Sequence, residues 1–131
     1  MNATTYLLVA AGGALGTVGR AWLGLFVGRT LGFGFPLGTL IINILGSAVI
    51  GIVAATALPS SRSIVGPELR VFLMVGICGG FTTFSSFSLQ TFELLREGRA
   101  AAAFANVALS VVICLIVTAV GYLGTASLLS R

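Results

Sequence analysis

Residues 76–88 read Gly76-Ile77-Cys78-Gly79-Gly80-Phe81-Thr82-Thr83-Phe84-Ser85-Ser86-Phe87-Ser88, inside an otherwise apolar segment. Two adjacent glycines weaken a helix by about 1 kcal/mol each. Five hydroxyls and three aromatics follow them at once. In hydrocarbon, irregular backbone and clustered polar groups are tolerated only when buried in protein or lining a hydrated cavity. This stretch is therefore the candidate site, and the rest of the chain is its scaffold.

Composition fixes the class. Of 131 residues 57% are hydrophobic and 8% charged, and the mean hydropathy is +1.13, far from a soluble domain. A span takes about 20 residues, so the expected fold is an all-α integral membrane protein with four transmembrane helices in one domain. The expected helices cover about 4–27, 37–58, 68–95 and 100–128. The amino terminus lacks a basic n-region and small-residue cleavage site, so the first helix is expected to remain. There is no His, Lys or Asp; the charges are seven Arg and three Glu, Glu68, Glu93 and Glu97. Arg near span ends anchors to headgroups, so a charge of +4 gives no case for nucleic acid. Cys78 and Cys114 sit in apolar segments and read as small hydrophobes, with no disulfide or metal pattern. With no acid pair and no metal cluster, an enzyme is not expected.

Each span carries something unlike lipid-facing helix. Gly12 and Gly16 in the first have the spacing that lets helices approach closely. Arg20 lies late in that span; it reads as an interfacial anchor or as an electropositive vestibule for anions. After the Gly-rich turn 29–35, Pro36 suits the first turn of the second helix. There Asn43 stands alone, either as interhelical glue or as an amide donor to a passing anion. The third span places Ser85 and Ser88 on one line and Phe81, Phe84 and Phe87 on another, with Gln90 extending the polar face. In the fourth, Asn106, Ser110, Cys114 and Thr118 recur at i+4, a weakly polar stripe suited to packing or to a pore.

Orientation has no winner. Four spans divide the arginines as Arg62, Arg70 and Arg131 against Arg29, Arg96 and Arg99, leaving Arg20 aside. An even split gives no positive-inside bias, which makes a dual-topology antiparallel homodimer plausible.

With Gly12-Gly13-Ala14-Leu15-Gly16 and Arg20, Gly38-Thr39-Leu40 through Asn43 and Gly46, and the 79–88 stretch on the page, the chain resembles the Fluc (CrcB-type) fluoride channels over its whole length. The resemblance implies dual-topology dimers in the bacterial inner membrane that pass fluoride out of the cytoplasm. It makes Phe84 and Phe87 the pore-lining rings and Asn43 the pore-facing amide, with Ser85, Ser88 and Ser110 along the polar track. It also implies a third helix broken near Gly79–Thr82, where the carbonyls of Gly79 and Thr82 from two subunits hold one structural sodium ion. Three positions depart from relatives: Asn106 replaces a tyrosine and could still donate a hydrogen bond, Cys114 replaces a serine, and Gln90 replaces a glutamate.

The residues alone reach only a small, hydrogen-bond-accepting anion. Hydroxyls, amides and the positive edges of phenyl rings can replace its hydration shell without trapping it. Two alternatives compete: a small dual-topology proton-coupled exporter, which needs an embedded carboxylate that the chain lacks outside its segment ends, and a structural membrane subunit.

Overall fold

The computed structural model describes residues 2–58 and 65–130. Most of the polar loop expected between Pro59 and Pro67, with Arg62, and Arg131 lie outside the described residues.

Among the described residues the fold is all-helical: α1 (Ala3–Leu31), α2 (Leu37–Ala55), α3 (Pro67–Val71), a π-helical stretch Phe72–Cys78, α4 (Gly79–Phe81), α5 (Phe84–Arg96) and α6 (Ala100–Leu129). Four helical stretches are long and apolar enough to cross a membrane, the third being Pro67–Arg96 taken as one interrupted span. Large apolar side chains such as Leu15, Trp22 and Leu115 point outward along them, as a lipid-facing surface requires.

The helix ends follow local chemistry. Asn2 Oδ1 accepts from Thr5 N at 2.9 Å and caps α1. α1 continues to Leu31, past the expected end near Val27, and stops at Gly32 with φ +86°, a left-handed angle that glycine adopts without strain. α2 ends at Ala55, three residues before the expected Leu58. At the far end of α5, Arg99 N bonds Leu94 O and Gly98 N bonds Leu95 O, with Gly98 at φ +73°. This is a Schellman stop, and it turns the chain directly into α6.

Two glycine-lined seams hold the bundle together. A methyl group on Gly16 would overlap the Ile77 carbonyl oxygen, and one on Gly12 would lie 2.7 Å from Phe72 O. α1 therefore packs backbone to backbone on the π-helical stretch, as its small-residue spacing predicts. The second seam joins α2 and α6, where Gly51 meets the Thr118 carbonyl and a methyl on Gly121 would sit 2.8 Å from Ala48 O. Thr118 Oγ1 donates to Ser47 O across it at 3.0 Å, so this end of the weakly polar stripe on α6 serves packing.

The third span is the irregular one, and the break falls later than the glycines suggest. Gly79, Gly80 and Phe81 keep helical backbone, whereas Thr82 (φ −80°, ψ 158°) and Thr83 (φ −152°, ψ 113°) are extended. Thr82 N and Thr82 Oγ1 both bond Cys78 O, at 2.9 and 2.8 Å, which completes the last helical turn. Gly80 serves packing instead: it lies against Gly13, where a methyl would approach Gly13 O to 2.5 Å. Two extended residues also interrupt the expected line of phenylalanines. Phe81 turns towards Gly19 and Gly46, while Phe84 and Phe87 remain a pair.

Candidate functional site

The extended residues Thr82 and Thr83 leave peptide groups without helical partners, and an unmet peptide group is costly inside a membrane. Asn43 on α2 supplies the partner. Its Oδ1 accepts from Thr83 N at 2.9 Å and its Nδ2 donates to Thr83 O at 3.2 Å. The side-chain amide thus takes the place of a neighbouring peptide. One Nδ2 hydrogen remains for another acceptor.

Thr83 also starts α5. Its Oγ1 accepts from Ser86 N at 3.2 Å, an N-cap bond, and donates to Ser86 Oγ at 3.1 Å. A threonine ahead of a helix is a recognisable cap, and a third helix broken near Gly79–Thr82 has to restart close to this point. Ser85 Oγ lies 3.3 Å from the same Thr83 hydroxyl.

Two cavities meet at this residue. One, of about 320 Å³, is lined by Asn43, Gly79, Thr82, Thr83 and Phe84, with Cys78 and Met74 behind them. The other, of about 410 Å³, runs from Thr83 and Ser86 past Gln90 to Glu93 and Glu97, with Arg20 and Arg99 in its wall. Thr83 lines both. The half-buried Arg20 therefore lines the same cavity as Thr83, at the break in the third span. Gln90 Oε1 is buried there without a hydrogen-bond partner.

The expected site residues separate into three groups. Asn43, Gly79, Thr82 and Phe84 come together around the smaller cavity. Phe84 and Phe87 pair at 5.4 Å between centroids with a 47° tilt, and Phe84 is 78% exposed. Ser85 and Ser88 also lie on the outer face of α5 in the single chain, Ser88 Oγ donating to Phe84 O at 2.9 Å. Asn106 and Ser110 are buried on α6, away from that face. Asn106 Nδ2 donates to Thr91 Oγ1 at 2.8 Å, while Ser110 Oγ is buried without a partner. Sequence reasoning did not single out Thr83, Ser86 or Thr91, whose roles depend on contacts that no spacing reveals.

The carbonyls proposed to hold a cation fit that chemistry. A continuous helix would pair Thr83 N with Gly79 O and Ser86 N with Thr82 O. Here Thr83 N is committed to Asn43 and Ser86 N to Thr83 Oγ1. Both oxygens are thereby freed from those donors beside a shared cavity, and hard monovalent and divalent cations take oxygen ligands. No cluster of three or more His, Cys, Asp or Glu occurs among the described residues.

Comparison with known proteins agrees with this architecture. Residues 7–122 match the model of a family described as CrcB-like protein, Camphor Resistance (CrcB). The chain is 54% identical over 120 residues to the Fluoride-specific ion channel FluC of Rhodospirillum rubrum, covering 92% of this chain and 93% of that one. It is 48% identical over 123 residues to the protein of the same description from Opitutus terrae, covering 94% and 93%. With that of Paramagnetospirillum magneticum it shares 46% over 127 residues, covering 97% and 98%. A family match over most of the chain, and relatives about half identical along nearly their full lengths, lead to one assignment: this chain belongs to the CrcB-like family.

Proposed function

We propose that the chain is a fluoride-selective anion channel of the bacterial inner membrane, which lets cytoplasmic fluoride leave passively and so lowers its toxicity. Its relatives bear the name of fluoride-specific channels. The observation that carries the reading is the break at Thr82–Thr83, bridged by Asn43 and opening on one side to the Arg20 vestibule and on the other to the Phe84 cavity.

The chemistry follows from the residues. Fluoride holds its hydration shell strongly, so a pore must offer donors at short spacing. Arg20 concentrates anions at the mouth, where a low-dielectric wall focuses its field. The Ser86 hydroxyl, which Thr83 Oγ1 orients by donating to it, and the free Nδ2 hydrogen of Asn43 then replace water in turn. Beyond them the edges of Phe84 and Phe87 attract the ion weakly, which suits release.

The functional unit is an antiparallel homodimer. Its case is the even arginine split, together with the exposure of Phe84, Ser85 and Ser88, which a second copy would cover. In such a dimer the Gly79 and Thr82 carbonyls of both subunits would hold one structural sodium ion, whose charge offsets anion repulsion at the centre.

One observation favours the proton-coupled alternative: Glu93 and Glu97 line the vestibule. Glu97 is however paired with Arg99 at 3.3 Å, and both side chains are substantially exposed, unlike an embedded proton carrier. The two readings part on electrogenicity. In proteoliposomes loaded with potassium fluoride, efflux should wait for valinomycin and leave internal pH unchanged. Valinomycin-independent efflux with proton movement would favour the exporter.

A further inference from the structure

We infer that Thr91 is a positioning residue for the pore, and that Asn106 acts through it rather than by touching the anion. The inference rests on the channel reading above and deepens it.

The connection is a chain of two hydrogen bonds. Asn106 Nδ2 donates to Thr91 Oγ1 at 2.8 Å, and Thr91 Oγ1 donates to Phe87 O at 2.7 Å. Asn106 is 1% exposed, the one side chain among the larger residues described that is fully buried. An amide at that depth cannot reorient without losing its bond, so it fixes the Thr91 hydroxyl, which in turn holds the backbone of Phe87.

α5 needs such a hold because little else sets its rotation. The break at Thr82–Thr83 uncouples it from the helix before it. Of its 13 residues only Leu94 is buried, so apolar packing within the chain grips it mainly at its far end. Asn43 anchors the start through Thr83. Thr91 and Asn106 supply the grip between these two points, one turn beyond Phe87. Rotation of α5 about its axis moves the rings of Phe84 and Phe87 together, since they sit three residues apart on one flank. How the two rings are turned towards the path decides whether an edge or a face meets the ion, and the two carry opposite partial charge. A loosened α5 should therefore cost discrimination between anions as well as rate.

The test compares wild type, Thr91→Val, Thr91→Ser and Asn106→Leu in liposomes, reading fluoride flux and the fluoride-to-chloride permeability ratio, with dimer assembly followed by size exclusion. Thr91→Val keeps the side-chain shape and removes the hydroxyl. It should lower the permeability ratio about fivefold, the population shift that one lost hydrogen bond of typical strength produces. Thr91→Ser should restore it. Asn106→Leu should match Thr91→Val, and the double variant should be no worse than either single one. An unchanged ratio in Thr91→Val overturns the inference, as does a loss in Asn106→Leu that Thr91→Val does not share. If Asn106→Leu fails to assemble, the Thr91 pair decides alone. Wild-type vesicles that pass no fluoride would instead defeat the channel reading, and this inference with it.

Discussion

Asn43 and Thr83, forty residues apart, form the joint on which the third span turns: Thr83 N donates to Asn43 Oδ1 at 2.9 Å and Asn43 Nδ2 donates back to Thr83 O at 3.2 Å. Hydrophobic substitution removes both bonds together. Asn43→Leu should destabilise the protein by about 2–4 kcal/mol, because two peptide groups are left unmet. It should also abolish flux, since the same amide carries the free donor. Thermal unfolding in detergent and liposome flux check the two effects separately. A variant of wild-type stability would show that the joint is not a support.

The glycine seams predict a contrast within one helix. Gly16→Ala should cost about 1–3 kcal/mol through overpacking, because its methyl would overlap the Ile77 carbonyl. A methyl on Gly13 meets nothing within 4 Å, so Gly13→Ala should stay within about 1 kcal/mol of wild type. Equal melting temperatures for the two variants would contradict the packing described for α1.

Four spans, the close approach of α1 through Gly12 and Gly16, and a disturbed third helix were legible in the sequence, because hydropathy and glycine spacing report directly on lipid contact and helix distance. The site was legible only in outline. Gly79 and Gly80 suggest unwinding there, yet glycine permits a break without requiring one, and Gly80 serves instead the close approach to Gly13. The break moves to Thr82–Thr83 because a side chain forty residues away offers a better partner for the Thr83 peptide. Likewise the pairing of Asn106 with Thr91 depends on how α5 and α6 meet, which periodicity does not encode. The π-helical stretch Phe72–Cys78 left no sign in the sequence.

Phe84 and Phe87 should be separable from stability. Phe84 is largely exposed in the single chain, so Phe84→Ile should assemble normally while flux falls about tenfold or more, as expected when an aromatic edge is lost. Phe87→Ile should behave similarly. Unchanged flux in both variants would remove the rings from the path.

Arg20 should act at long range. Arg20→Gln should lower flux most at about 0.01 M salt, where the screening length is about 30 Å, and far less at about 0.1 M, where it is about 10 Å. Flux measured in matched osmolyte at the two salt levels reads this directly. A deficit independent of salt would make Arg20 an anchor instead of an anion funnel.

The central claim is that the Asn43-bridged break forms part of a passive path for fluoride. Its most direct measurement is the initial efflux of fluoride and of chloride from proteoliposomes containing the purified protein, recorded with ion-selective electrodes after valinomycin. Rapid fluoride efflux with chloride retained is expected of the wild type, and loss of that efflux in Asn43→Leu. Equal efflux of both anions, or no fluoride efflux from wild-type vesicles, would contradict it.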